Sequence, residues 1–492
     1  MFMFNNSKRN IRLTTIALMI ATFMTAVEGT IVSTAMPTIV SNLHGVSIMN
    51  WVFSVFLLTN AVSTPIYGKI ADQFGRKKIF IFGLTIFLIA SLFAGLSKSM
   101  VNLIFWRAFQ GLGAGAIMPV SYTIIADIYP FEKRGKILGL NGAIWGIASI
   151  ISPVLGGILV DRLSWHWIFF INIPIGILAI IAIYFFFNEK FEVKNYNFDY
   201  LGMLLLSLFL FAIIYVVKIL SSKNFDGIEL SIFINLAIIT FIFFVRRENV
   251  FINPIIPTKL FQNRTFVIQN AVALLVSGFI MGLEVYVPDW TQGIMGLGAS
   301  MAGLVITPAS LFWIIGSFIS GYLIKKINVV YSTLIGLFLI LIASFWIINL
   351  SINAHYEYFF VISAICGIGF GITITNSTLV SQKLVSKEDI GVATSFNTLC
   401  RIFGQTFIIS ILGIVMNTKL KIEILNTPKT SLAMINRLIN PKYAKDLPLK
   451  SLYNLKSVLF NSLNWVFLFL FSLIIFSMLI NLFNIKKKDE IR

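Results

Sequence analysis

The chain reads as an all-α integral membrane protein with fourteen transmembrane helices in a 6+2+6 arrangement, and three observations lead there. Of its 492 residues, 58% are hydrophobic and only 12% charged, with a mean hydropathy of +0.89, whereas soluble domains carry about a quarter charged residues. The apolar residues gather into fourteen stretches, each close to the roughly 20 residues that a helix needs to cross the hydrocarbon core. The chain also resembles itself at a fixed offset, which divides it into two comparable halves.

The expected spans run from about 13–40, 50–70, 79–97, 100–128, 135–160, 165–187, 198–220, 228–245, 265–289, 300–324, 328–350, 357–381, 390–416 and 457–484. The first apolar run is too long for a signal peptide and is followed directly by further spans, so no cleavable signal is expected. The net charge of +18 sits in short clusters between apolar runs rather than along one exposed face, which argues for topology and against nucleic acid. Lys8, Arg9, Arg12, the Arg76, Lys77, Lys78 cluster, Lys133, Arg134 and Lys486 to Lys488 mark one side. Before the last loop the other side holds Lys98, Arg162, Lys218 and Lys223. Basic segments stay in the cytoplasm, so both termini are expected there. The segment 417–456 breaks the bias, with eight basic and two acidic residues on the outer side; long loops obey the rule less strictly. It reads as a solvated outer loop, with a small amphipathic structure as the alternative.

The repeat sets the architecture. QGLGAGAIMPVSYTIIADIYPFEKRG, from Gln110, lies over CGIGFGITITNSTLVSQKLVSKEDIG, from Cys366, without a gap at an offset of 256 residues. Gly111, Gly113 and Gly115 meet Gly367, Gly369 and Gly371, Glu132 meets Glu388, and Gly135 meets Gly391. Span 4 thus matches span 12, and spans 7 and 8 are an insertion. The expected divisions are 1–190 for the first six-helix half, 191–250 for the inserted pair and linkers, and 251–492 for the second half. Parallel halves of this kind place a substrate site near the bilayer midplane where they meet.

In FMTAVEGTIVSTAMPTIV, from Phe23, Glu28 lies inside an apolar span, where a carboxylate costs at least a few kcal/mol and marks a pathway or a proton relay. The same offset carries it onto Glu284 in FIMGLEVYVPDW. GKIADQFGRKK, Gly68 to Lys78, supplies glycines for a tight turn and Asp72, which can meet an arginine or a helix N-terminus. LIFWRAFQGLGAGA places Arg107 and Gln110 one turn apart, with snorkelling of Arg107 as the plainer reading. NGAIWGIASIISPVLGG offers Gly142, Gly146, Gly156 and Gly157 for close helix packing and Pro153 for a kink. WHWIFFINIPIG suits an interfacial aromatic belt.

On these motifs the chain resembles the fourteen-helix drug:proton antiporters of the major facilitator superfamily over nearly its whole length, most firmly from Glu28 to Gly176. The resemblance implies the major facilitator fold. It also implies a cytoplasmic gate at Gly68, Asp72, Gly75 and Arg76, proton transfer linked to Arg107, and control of leakage by the span 5 glycines and Pro153. The chain departs from the pattern in having Glu28 where many relatives have Asp, Ser152 before Pro153 where Gly-Pro is usual, and Gln73 at a commonly basic position. The equivalent loop in the second half, GYLIKKIN from Gly321, is degenerate.

These readings define the expected machinery. Desolvation disfavours a charged carboxyl and a nearby cation favours it, so one carboxylate can exchange a proton for a cationic drug. Glu28 and Glu284 are the expected proton-binding and cation-sensing acids, with Arg107 as neighbour and Asp289 as a weaker candidate that reads more readily as an interfacial helix-end charge. Glu28, Glu284, Gln110 and Met281 are expected to line the substrate cavity, with aromatics such as Phe279 and Trp290 forming an adaptable wall. Asp127 is expected to support the gate through Arg134 or the Gly68 to Lys78 loop. At about 1.5 Å per residue, Glu28 lies roughly 18 Å from the outer end of span 1, Arg107 roughly 10 Å from that of span 4 and Glu284 roughly 8 Å from that of span 9. Arg401, a second cation inside a span, reads as structural or as lining the path.

No GxxxxGK[ST] stretch occurs, His44, His166 and His355 form no cluster, and Cys366 and Cys400 read as packing residues. Neither cofactor, metal nor enzymatic activity is expected. The expectation is a monomeric, multi-pass protein of the cell membrane that exchanges small-molecule drugs for protons and touches lipid. The alternatives are export of one metabolite or lipid-like compound, and a non-transporting sensor or scaffold.

Overall fold

The structure, a computed structural model, describes residues 8–43, 48, 50–189, 199–221, 227–251, 254–297, 299–428, 430–439 and 447–484. Among these, no strand occurs. The helices are α1 (Lys8–Leu43), α2 (Asn50–Phe74), α3 (Arg76–Gly95), α4 (Met100–Ile128), α5 (Phe131–Arg162), α6 (Trp167–Phe170), α7 (Asn172–Phe186), α8 (Tyr200–Ser221) and α9 (Gly227–Val250). They continue as α10 (Lys259–Gln262), α11 (Arg264–Gly293), α12 (Ala299–Lys326), α13 (Val329–Ile348), α14 (Glu357–Lys383), α15 (Ile390–Asn426), α16 (Leu432–Ile439) and α17 (Leu449–Leu482). Every expected span falls on a helix, the sixth on α6 and α7 together. Among the described residues, eleven helical stretches are long and apolar enough to cross a membrane, and Tyr200–Val216 is a shorter apolar helix. The fold is all-α.

The expected outer loop is largely helical where it is described. α15 continues to Asn426 and α17 begins at Leu449. Between them α16 turns Ile435 and Leu438 into the same apolar cluster as Leu455 of α17, so the amphipathic alternative is the one realised. Residues 440–446, like His44 and Lys486 to Lys488, lie outside the described residues.

The chain gathers into two compact units. The first comprises Met1–Val216, Gly227–Val267 and Thr378–Leu399, and the second Val217–Asp226, Ile268–Ser377 and Cys400–Arg492. In the first, α4 packs on α2 and α3, and α1 on α5 and α7. Glycine makes this possible. A Cβ on Gly111 would collide with the Phe56 carbonyl and Thr59, and one on Gly115 with Ser63, both on α2; one on Gly113 would collide with Gly83 and Phe87 of α3. The second unit repeats the device. Gly367 and Gly371 of α14 abut the carbonyls of Ala309 and Trp313 on α12, while Gly369 abuts Gly336 and Ile340 of α13. Small residues thus let helix backbones approach on two sides of one central helix in each unit.

These contacts also correct the register. α4 maps onto α14 at an offset of 256, but Phe56, Gly83 and Phe87 correspond to Ala309, Gly336 and Ile340, an offset of 253. Three residues of connection separate the two registers. That second register is seen for α2 and α3; at an offset of 256 Glu28 falls on Glu284, and at 253 it would fall on Met281, one helical turn away on α11.

The inserted helices α8 and α9 meet through Phe209 and Phe241, with ring centroids 5.0 Å apart, and through Tyr215 and Phe233, at 4.3 Å. Tyr215 also lies beside Trp51 of α2 and donates to Glu229 at 3.0 Å. At the other end Arg247 pairs with Asp199 at 3.0 Å, and the Glu248 carboxylate accepts from the backbone N–H groups of Ile255 and Ile256. α9 otherwise exposes Ile232, Ile238, Ile239 and Phe241, as a lipid-facing helix does.

Candidate functional site

The most concentrated chemistry in the first unit surrounds Glu28. Both Glu28 and Arg107 are 1% exposed, and Arg107 Nη1 donates to Glu28 Oε1 at 2.6 Å and to Gln110 Oε1 at 2.7 Å. Arg107 Nε donates to the Val52 carbonyl, and the guanidinium lies 4.2 Å from the centroid of the Phe56 ring. The other oxygen of Glu28 accepts from Asn172 Nδ2 at 2.6 Å, and Ser91 Oγ accepts from Gln110 and Asn172. α1, α3, α4 and α7 each supply a side chain. Snorkelling of Arg107 is excluded by this burial. The 2.6 Å contact brings the two side chains together although helical rise counted from the span ends set Glu28 and Arg107 apart.

Taking two charges out of water is repaid only where geometry is good and the remaining hydrogen-bonding capacity is met, and both Glu28 oxygens here have donors. A proton arriving at Glu28 removes the negative half of a neutral pair and leaves a buried guanidinium. The arrangement is thus a buried ion pair whose hydrogen bonds tie four helices together. Asn172 and Ser91 were not anticipated from sequence. Asn172 does stand as a lone amide in the apolar run of WHWIFFINIPIG, which is the signal that would have found it.

A second polar assembly lies where α2, α3, α4, α5 and α15 meet within the same unit. Asp72 Oδ1 accepts from Arg76 Nη2 at 2.9 Å, and Asp72 Oδ2 accepts from the Val392 backbone N–H at 2.9 Å. Arg76 Nε lies 3.4 Å from Asp127 Oδ2. A carboxylate at the first turn of α15 satisfies one of its free N–H groups and complements its dipole. Gly68 and Gly391 admit this approach, because a Cβ on Gly68 would meet Ser395 and one on Gly391 would meet the Asp72 carboxylate. Gly75 has φ 97°, which only glycine adopts without strain. Arg134 donates to the carbonyls of Ala126 and Tyr129 and to Gln382. Glu189, also unanticipated, caps α3 by accepting from the backbone N–H groups of Arg76 and Lys77 at 2.8 and 2.9 Å. Asp72→Asn removes the charge facing Arg76. Since hydrogen bonds to charged groups contribute about 1.5–3 kcal/mol, efflux at unchanged protein level is expected to fall about tenfold; wild-type efflux would show that transport does not depend on the Asp72 charge.

On α5, Gly146 and Gly156 are buried and Gly142 half-buried, and the helix runs unbroken through Pro153. Gly157 departs from expectation: a Cβ there meets nothing within 4 Å, so close packing does not require glycine at that position.

In the second unit Glu284 is exposed, and among the described residues it has neither an ion pair nor a hydrogen bond. The position matching Arg107 in the α4 register is Ser363, which cannot pair with an acid. Met281, Pro288 and Asp289 are half-buried on the same side of α11, while Gly282, Leu283, Tyr286, Val287 and Trp290 are buried. Glu284 and Met281 can therefore meet a ligand, whereas Glu28 and Gln110 are buried in their own network. The expected aromatic wall is corrected in part: Phe279 and Trp290 are fully buried, Trp290 among Phe359, Phe460 and Phe467. Sequence also missed a polar network joining five helices of this unit. Ser320 donates to Asn376, Asn376 to Ser332, Thr333 to Gln269, Gln269 to Asn481, and Asn481 to the Val330 carbonyl.

Comparison with known proteins agrees with this architecture. The profile of the Major Facilitator Superfamily matches residues 18–409. The multidrug transporter protein MdtP of Bacillus subtilis is 37% identical over 421 residues, covering 84% of this chain and 76% of the relative. The multidrug efflux pump SdrM of Staphylococcus aureus is 32% identical over 403 residues, covering 82% and 89%. Among solved structures, the human organic anion transporter MFSD10 superposes with a TM-score of 0.62 at 11% identity, covering 94% of this chain and 99% of that one. A bacterial homolog of the human lysosomal transporter Spinster does so with a TM-score of 0.59 at 16% identity, covering 98% and 99%. With a family match across most of its length and an all-α fold shared with solved members, the chain belongs to the major facilitator superfamily and is a multi-pass membrane transporter.

Proposed function

We propose that this protein is a proton-coupled multidrug antiporter of the cell membrane, exporting hydrophobic and often cationic compounds by alternating access. The observation that carries the reading is the buried Glu28–Arg107 pair, held by Gln110 and Asn172 on separate helices. A scaffold has no use for a costly ion pair inside a spanning bundle. Relatives named as a multidrug transporter and a multidrug efflux pump, at 37% and 32% identity, support the substrate class.

In this reading Glu28 and Arg107 couple the proton, Glu284 meets the cationic group of the drug beside Met281, and Asp289 serves as an outer acid. Gly68, Asp72, Gly75, Arg76 and Asp127 form the cytoplasmic gate, and Gly142, Gly146, Pro153 and Gly156 shape α5. The chain crosses the membrane fourteen times as a monomer with both termini in the cytoplasm. The electrical part of the gradient supplies about 2.3 kcal/mol per charge per 100 mV. The test is dye transport in energised vesicles with and without a protonophore. Transport is expected to collapse with the gradient, and transport that persists unchanged would overturn proton coupling.

A further inference from the structure

Two arginines lie well inside the spanning helices, and their surroundings differ. Arg107 makes three hydrogen bonds and lies against an aromatic ring. Arg401 of α15 makes no ion pair among the described residues, and its buried Nε has no hydrogen-bond acceptor there. It does not face lipid. On α15 it shares a stripe with Gly404, Ile408 and Leu412, at the i, i+3, i+7 and i+11 positions; these are buried, while Phe407 and Ile414 on the other side are 41% and 45% exposed.

That stripe packs on α11. A Cβ on Gly404 would meet the Leu274 carbonyl, one on Gly278 would meet Ile408, and one on Gly282 would meet Leu412. Arg401 lies one turn before the first of these contacts, at the point where the tight α11–α15 seam begins, and its side chain is half-buried rather than sealed. Eleven residues separate it from Ile390 at the start of α15, about 16 Å of helix, so its aliphatic stem cannot bring the guanidinium to that end of the helix. A cation held at this depth is costly without an anion. The described chain provides none.

We propose that Arg401 is an anion subsite of the transport path, taking the carboxylate or sulfonate of an amphiphilic substrate. Its planar fork of donors matches such a group in two parallel hydrogen bonds, which a lysine cannot do. The same unit presents Glu284, which has no partner among the described residues, farther along α11. In the register that sets Gly404 against Leu274, Arg401 and Glu284 are about 20 Å apart along the helix axes. One unit therefore offers separate recognition points for acidic and basic groups, which extends the substrate class from cations to zwitterions and anions.

This inference rests on the export reading, so binding to the purified full chain in lipid-free detergent tests it rather than efflux. The probes are rhodamine 6G, a cationic ethyl ester, and rhodamine 19, the same dye with a free carboxylate. Arg401→Gln is expected to weaken rhodamine 19 about tenfold, the loss of one charge-assisted pair, and to leave rhodamine 6G within about twofold, which also reports that the variant is folded. Arg401→Lys should recover part of the rhodamine 19 affinity. Equal weakening of both dyes, or of neither, overturns the anion subsite. A wild-type chain that binds neither dye overturns the export reading and the subsite with it.

Discussion

Glu28→Gln is expected to abolish proton-coupled efflux and, at the same time, to lower the stability of the purified protein by about 3 kcal/mol, because breaking a buried ion pair strands the other charge. The stranded group is Arg107. It is 1% exposed and would keep the Val52 carbonyl, Gln110 and the Phe56 face, none of which neutralises it. The double variant Glu28→Gln, Arg107→Gln removes both charges, and replacing a whole buried pair by neutral groups is often without net cost. It should recover most of the lost stability and none of the coupling. Thermal unfolding in detergent and dye efflux in energised vesicles separate the two effects. Full efflux in the single variant would remove Glu28 from the mechanism. Additive loss of stability in the double variant would show that the pair is not energetically coupled.

Why Glu28 and Arg107 stood out in the sequence as neighbours, while their direct contact and the rest of the network did not, is a matter of what helical periodicity records. A charge inside an apolar run is visible residue by residue. Which charges meet depends on tilt, on helix ends and on side-chain reach, and rise counted from the span ends set Glu28 and Arg107 at different depths. Asn172 and Ser91 escaped notice because uncharged polar residues are common in spans and are as often packing residues as ligands. The glycine pairs Gly111 and Gly367, Gly113 and Gly369, and Gly115 and Gly371 were legible, since glycine at fixed spacing has few uses other than close approach. The three-residue change of register between the α2–α3 and α4 repeats was not, because the helices that reveal it share contacts rather than sequence. The polar assembly around Asp72 was half legible. Asp72 and Arg76 lie in a recognisable loop, but their partners Val392 and Glu189 contribute a backbone N–H and a solitary acid, neither of which carries a pattern.

Glu284→Gln should behave in the opposite way to Glu28→Gln. No described residue pairs with Glu284, and its side chain is exposed, so removing its charge strands nothing and stability should stay within about 0.5 kcal/mol of wild type. The loss should fall on recognition instead. A carboxylate that meets the cationic centre of a bound drug supplies a charge-assisted contact of about 1.5–3 kcal/mol, so export of a permanently cationic dye should fall about tenfold or more while export of an uncharged apolar substrate continues. Asp289→Asn, five residues farther along α11, should have a smaller effect. If Glu284→Gln stops neutral and cationic substrates alike, the residue belongs to proton coupling and the division of labour between the halves is wrong. If it unfolds the protein, Glu284 has a structural partner. The asymmetry has a simple origin in the repeat: the first half has an arginine at position 107 to neutralise its acid, the second has Ser363 at the matching place, and an acid left without an internal cation is available to an external one.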